Sequence, residues 1–151
     1  MKRIGFLALM TLLTVACLGS DFADSVEGSW QLSEGTLDGE PIPLIDSHPI
    51  TITFQDDQVG GTASCNSYGG TYETDGSTIS FSSLAMTEMA CMPEETMVAE
   101  QMYGTALTMV DTVTLDESLV LSGPGVELTF DRLDPVPGAE LTNTVWVLDG
   151  L

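Results

Sequence analysis

Basic residues are almost missing from this chain. It has three Lys or Arg against 23 Asp or Glu, and two of the three, Lys2 and Arg3, stand at its start. Every acid follows residue 20, so removal of a leader would leave one base, Arg132, against 23 acids, a net of −22. A surface of that sign repels nucleic acid and anionic membranes, which excludes phosphate binding as a role. It reads as the heavily solvated surface of a protein suited to high salt. The alternative is a cation-binding surface, but no D-x-D-x-D-G loop or other spaced carboxylate cage supports one.

Histidine and cysteine are equally scarce. The single histidine, His48, sits in a loop with nothing in the sequence to place a nucleophile beside it. One histidine and at most three cysteines, with no C-x-x-C, argue against zinc and against a Cys–His enzyme. The sequence holds no catalytic constellation, and no cofactor or metal site is expected. A hydrophobic fraction of 43% in 151 residues is nonetheless enough for one globular domain with a core.

Long apolar runs are also lacking, apart from residues 4–16. These follow Lys2 and Arg3, are too short to span a membrane comfortably, and end in TVAC, with small Ala16 before Cys17. This resembles a bacterial lipoprotein signal, in which the cysteine becomes the acylated first residue. The pattern prefers an aliphatic residue three before the cysteine, and Thr14 stands there. Ordinary secretion is the alternative. Acylation of Cys17 would anchor the chain to a membrane, since several acyl chains hold where one does not. Leu18 rather than Asp follows Cys17, which by resemblance to the usual sorting rule favours the outer membrane. The other two cysteines, Cys65 and Cys91, read in an oxidising compartment as one disulfide, worth on the order of 3 kcal/mol. The alternative is two buried free thiols; Cys91, just before a helix start, would then have a lowered pKa.

Along the chain, residues 18–27 form a polar tether. A first strand is expected at Ser29–Leu32, then a turn-rich stretch with one short strand around Ile42–Ile45. Ile50, Ile52 and Phe54 alternate with Thr51 and Thr53, a strand with one apolar face that turns at Asp56–Asp57 and returns over Val59–Cys65. SYGG is expected to turn. Asp75–Gly76 marks a hairpin before a strand over Thr78–Phe81. Pro93, Glu94 and Glu95 open a helix over residues 93–110, with Ala99, Tyr103, Ala106, Leu107 and Val110 on one face. Strands resume at Thr112–Leu115, Ser118–Ser122 and Val126–Leu133, the last two joined at GPG. The fold class is therefore mainly β with one helix: an antiparallel meander curled into a small barrel.

The run GGTASCNSYGGTYETDGSTISFSSLAMTEMAC closely resembles the META domain, the family typified by the heat-shock lipoprotein HslJ. Its pattern appears here as Gly61, Cys65, Asn66, Tyr68, Gly70, Tyr72, Gly76, Thr87, Met89, Ala90 and Cys91, with Ser64 where glycine often precedes the first cysteine. The resemblance covers residues 28–133. It implies a lipocalin-like barrel with a helix packed on it, an envelope setting, a stress role and no established enzymatic activity. On this reading the motif is structural. Gly60, Gly61, Gly69 and Gly70 let the backbone turn where a Cβ would clash, Asn66 caps a local turn, and Tyr68 and Tyr72 pack with their hydroxyls at the surface. Residues 134–142 read as a linker. Residues 143–151 carry Trp146 in a repeat of the look of Trp30 and read as the start of a second META unit; the alternative is a strand packing on the one domain present.

Met86, Met89, Met92, Met97, Met102 and Met109 gather around the helix. They read as core and helix face, the alternatives being an adaptable apolar surface or a soft-metal site. Two functional readings dominate: a non-enzymatic envelope lipoprotein, and a barrel module binding a small apolar ligand or a partner. A thiol enzyme is a distant third.

Overall fold

The structure, a computed structural model, describes residues 26–134. The leader with Cys17, nearly all of the tether and linker, and the stretch around Trp146 lie outside the described residues.

Among the described residues nine strands and one full helix follow in order: β1 (Gly28–Leu37), β2 (Glu40–Pro41), β3 (Thr51–Gln55), β4 (Gln58–Thr62), β5 (Ser67–Asp75), β6 (Thr78–Met86), α1 (Glu94–Met109), β7 (Thr112–Leu115), β8 (Leu119–Gly123) and β9 (Val126–Arg132). Each strand from β3 to β9 pairs antiparallel with the next, and β1 pairs with both β3 and β9. The result is a closed eight-stranded barrel, with β2 appended to the free end of β1.

Alternation sends one set of side chains inward. Trp30, Ile52, Phe54, Ile79, Val113, Leu119, Leu121, Leu128 and Phe130 are all at most 1% exposed and fill the interior. Trp30 donates from Nε1 to Val26 O at 2.9 Å, and the Arg132 guanidinium lies 4.1 Å from its ring centre. Barrels of this size have room for side chains or one small ligand; here side chains occupy it.

Three departures from the sequence reading have local causes. β1 runs five residues past Leu32, because a register shift between Leu32 and Glu34 turns Gly35 inward and lets pairing with β9 continue to Leu37↔Val126. The strand expected around Ile42–Ile45 is reduced to Glu40–Pro41 and one bridge, Ile45↔His48; Pro41 and Pro43 lack the N–H a ladder needs. SYGG does not turn. It begins β5, and the glycines serve close strand approach: a Cβ on Gly70 would meet Ser82 O at 2.7 Å, and one on Gly61 would strike Thr51 O. The turn itself lies just before, at Ala63–Asn66, where Cys65 N donates to Ala63 O and Ala63 N to Asn66 O.

The hairpins behave as turn chemistry predicts. Gly76 and Gly125 have φ of +60° and +75°. Asp38 and Gly39 join β1 to β2 with φ of +52° and +84°, both central residues left-handed as in a type I′ turn.

The helix occupies the place expected for it. Ala99, Tyr103, Ala106, Leu107 and Val110 are all buried, as is Thr96. Alanines flanking Tyr103 let the helix backbone approach the barrel. The need for it lies at the weakest seam: β6 and β7 share one register pair, Thr78↔Thr112. Beyond that pair β6 continues to Met86, and α1 lies across from its last residues, with Leu84, Ala85, Gly104 and Leu107 bounding a crevice of about 120 Å³.

Candidate functional site

The motif residues converge where the Ala63–Asn66 turn, the loop after β6 and the first half of α1 meet. Asn66, 1% exposed, is the hub. Its Nδ2 donates to Met89 O and to Glu100 Oε1, both at 3.0 Å. Its Oδ1 accepts from Met89 N at 2.7 Å and from Thr87 Oγ1 at 2.8 Å. Its backbone N–H donates to Glu100 Oε2 at 2.6 Å. Both donors and both acceptor positions of the amide are thus used, which is what a buried polar group requires. The expected local cap is corrected: every partner of this side chain is more than 20 residues away. Asn66 ties three segments together.

A covalent tie runs beside it. Cys65 and Cys91 form a disulfide with Cα atoms 5.8 Å apart, joining the turn to the residue two before the helix N-cap, Pro93. Neither sulfur is then a thiolate, so the arrangement offers no nucleophile. Cys91 N–H points at Met97 Sδ, 3.5 Å away.

A second polar element reaches into the barrel. Tyr68 O–H donates to Thr51 O at 3.0 Å, and Tyr103 O–H, 2.7 Å away, donates to the Tyr68 oxygen. Both rings are buried, so the expected surface hydroxyl is corrected for Tyr68. Burial pushes the Tyr68 hydroxyl well above the usual tyrosine range, against the smaller opposing effect of its bond to Tyr103. Tyr103 is raised too, first by burial, then by the Tyr68 charge and hydrogen bond. Tyr72 packs edge-on to Phe54, ring centres 4.8 Å apart.

Ser64, the departure from the motif, sits in the turn with φ of +76°. Its buried hydroxyl has no hydrogen-bond partner. Glycine would meet neither difficulty.

The motif side chains do not all face inward. Thr87, Met89 and Ala90 are exposed, and Met89 takes part in the hub through its main chain. Met86 and Met92 are exposed as well, while Met97, Met102 and Met109 are half-buried. The reading as core and helix face holds for Met102 and Met109, which pack half-buried against the core from the helix, and is corrected for Met86, Met89 and Met92, which are exposed. Glu100 and Tyr103 were missed as site residues. Their signal was a stripe at 96, 100, 103 and 107, which places a carboxylate on the buried side of an amphipathic helix.

His48 Nδ1 lies 2.9 Å from Ser47 Oγ, an exposed contact between neighbours. Among the described residues no group of three or more His, Cys, Asp or Glu side chains could hold a metal, and no helix is long and apolar enough to cross a membrane.

The pattern of the META domain matches residues 23–135, the barrel, the helix and the hub together. The chain belongs to the META domain family. The META barrel is similar to an NMR structure of a protein from Burkholderia xenovorans, 27% identical, with a TM-score of 0.65, covering 87% of this chain and all of that one. A further NMR structure, 21% identical with a TM-score of 0.58, covers 73% of this chain and 93% of its own and shares the fold. No curated protein matches.

Proposed function

We propose that this META protein is a non-enzymatic lipoprotein of the bacterial cell envelope, exported by its leader, acylated at Cys17 and serving envelope maintenance under stress. The Cys65–Cys91 disulfide is the observation that carries the reading. Such bonds persist in oxidising compartments outside the cytosol, and here the bond locks the family motif to the helix. The lipoprotein-like TVAC leader and the acidic, solvated surface fit the same setting. Leu18 favours the outer membrane, facing the periplasm. The filled barrel interior and the use of the motif residues as ties favour a structural role over catalysis.

A barrel module holding a small apolar ligand has one observation in its favour, the crevice between β6 and α1. At about 120 Å³ it is small against the few hundred Å³ of ordinary ligand pockets, and the larger crevice of about 520 Å³ beside it is open and lined in part by Asn66, Thr87, Glu88 and Glu100, which do not suit an apolar ligand, so the envelope reading stands first.

Intact mass of membrane-extracted protein, alkylated with and without prior reduction, tests the proposal. Acyl chains on Cys17, with two thiols appearing only after reduction, are expected. An unacylated chain, or Cys65 and Cys91 alkylated without reduction, would overturn it.

A further inference from the structure

A thioether normally goes into a core, and here several do not. Met86 is 37% exposed, Met89 58% and Met92 80%. Three of the chain's eight methionines, Met86, Met89 and Met97, come from the end of β6, the following loop and α1 to line one open crevice of about 520 Å³. Glu88 and Glu100 line it too, and no Lys or Arg does.

The crevice is held in shape. The Asn66 amide fixes both the N–H and the C=O of Met89. The disulfide fixes Cys91, whose N–H engages one lone pair of Met97 Sδ and leaves the other. Met86 and Met89 are 37% and 58% exposed, so a solvated ion can reach their side chains.

We propose that this crevice binds a soft monovalent cation, Cu+ or Ag+, through the thioethers of Met86, Met89 and Met97. Neutral sulfur donors suit soft ions of low charge. Zinc prefers thiolate and imidazole, and calcium takes six to eight oxygens, neither of which the crevice supplies. Glu88 and Glu100 add negative potential that favours a cation without serving as its ligands. Thioethers carry no proton to displace, so binding is flat with pH across neutrality, unlike a histidine or thiolate site.

Silver nitrate, titrated in chloride-free buffer into the full chain with its disulfide intact and the Cys17 thiol alkylated or acylated, is the probe. Calorimetry should show one Ag+ per chain at micromolar affinity, unchanged between about pH 6 and 8 because no ligand titrates there. The Met86→Leu, Met89→Leu, Met97→Leu triple variant keeps side-chain volume and should melt near the parent temperature, yet bind more than about tenfold more weakly. The Met102→Leu, Met109→Leu variant should bind as the parent does. Labelled methionine methyl signals of Met86, Met89 and Met97 should shift together at one equivalent. Absence of binding, affinity retained in the triple variant, or weak multisite binding displaced by sodium or calcium would overturn the proposal.

Discussion

Ser64 and Asn66 stand two residues apart and illustrate opposite economies. The left-handed backbone of a non-glycine residue costs about 1–2 kcal/mol, and a buried hydroxyl without a partner costs about 1–3 kcal/mol. Glycine returns about 0.5–1 kcal/mol of that through its freer unfolded chain. Ser64→Gly is therefore expected to stabilise the protein by about 1–4 kcal/mol, seen as a rise of at least about 4 °C in thermal melting. Asn66→Ala works the other way. It strands Met89 N–H and C=O and removes a donor to Glu100, with an expected loss of about 3 kcal/mol in denaturant unfolding. A loss below about 1 kcal/mol would mean that water replaces the amide and the hub is not structural.

At the scale of elements, the helix is tied to the barrel by the disulfide at its start and the tyrosine pair at its middle. Reduction, or the Cys65→Ser, Cys91→Ser variant, should cost on the order of 3 kcal/mol and lower the denaturant midpoint. The tyrosines give a pH dependence of definite sign. Both folded-state values lie above the unfolded value near 10, so their contribution is intact below pH 10. It is lost as pH rises further, because the unfolded chain gives up its protons first. Stability should fall above pH 10 by up to about 1.4 kcal/mol per pH unit for each tyrosine, and Tyr103→Phe should make that fall shallower. An unchanged slope would rule out the pair as its source.

Much of this level was legible in the sequence. The alternation from Ile50 to Phe54 and the stripe from Ala99 to Val110 placed one strand and the helix nearly to the residue, since local periodicity decides them, whereas β1 and β6 each run five residues past their expected ends at Leu32 and Phe81, because pairing with a neighbouring strand carries them on. The hub was not legible, because its bonds join residues more than 20 apart and no local pattern records a partner. The pair Gly69–Gly70 misled for a related reason: glycine permits a turn, but it equally permits a neighbouring strand to come close, and only the third dimension says which. Methionine exposure escaped as well, since hydrophobicity states what a side chain prefers and not what the fold has left to cover it.

For the molecule as a whole, charge is the dominant field. Acids outnumber bases 23 to 3 over the chain, and among the described residues Arg132 is the sole Lys or Arg. Added salt should relieve the mutual repulsion. Raising NaCl from about 0.01 M to about 0.15 M shortens the screening length from roughly 30 to 8 Å, and the melting temperature is expected to climb with it. A melting temperature indifferent to salt would sink the reading of the surface as salt-adapted. The seam between β1 and β9 bears on how the molecule comes to be. It pairs Trp30 with Arg132 and Leu37 with Val126, so the first strand waits for the last, and a ribosome or a translocon must deliver almost the entire domain before the circle can shut. Such remote pairing makes for slow assembly. It also keeps the emerging chain open, and a chain that cannot finish early remains threadable through a narrow channel until its final strand arrives.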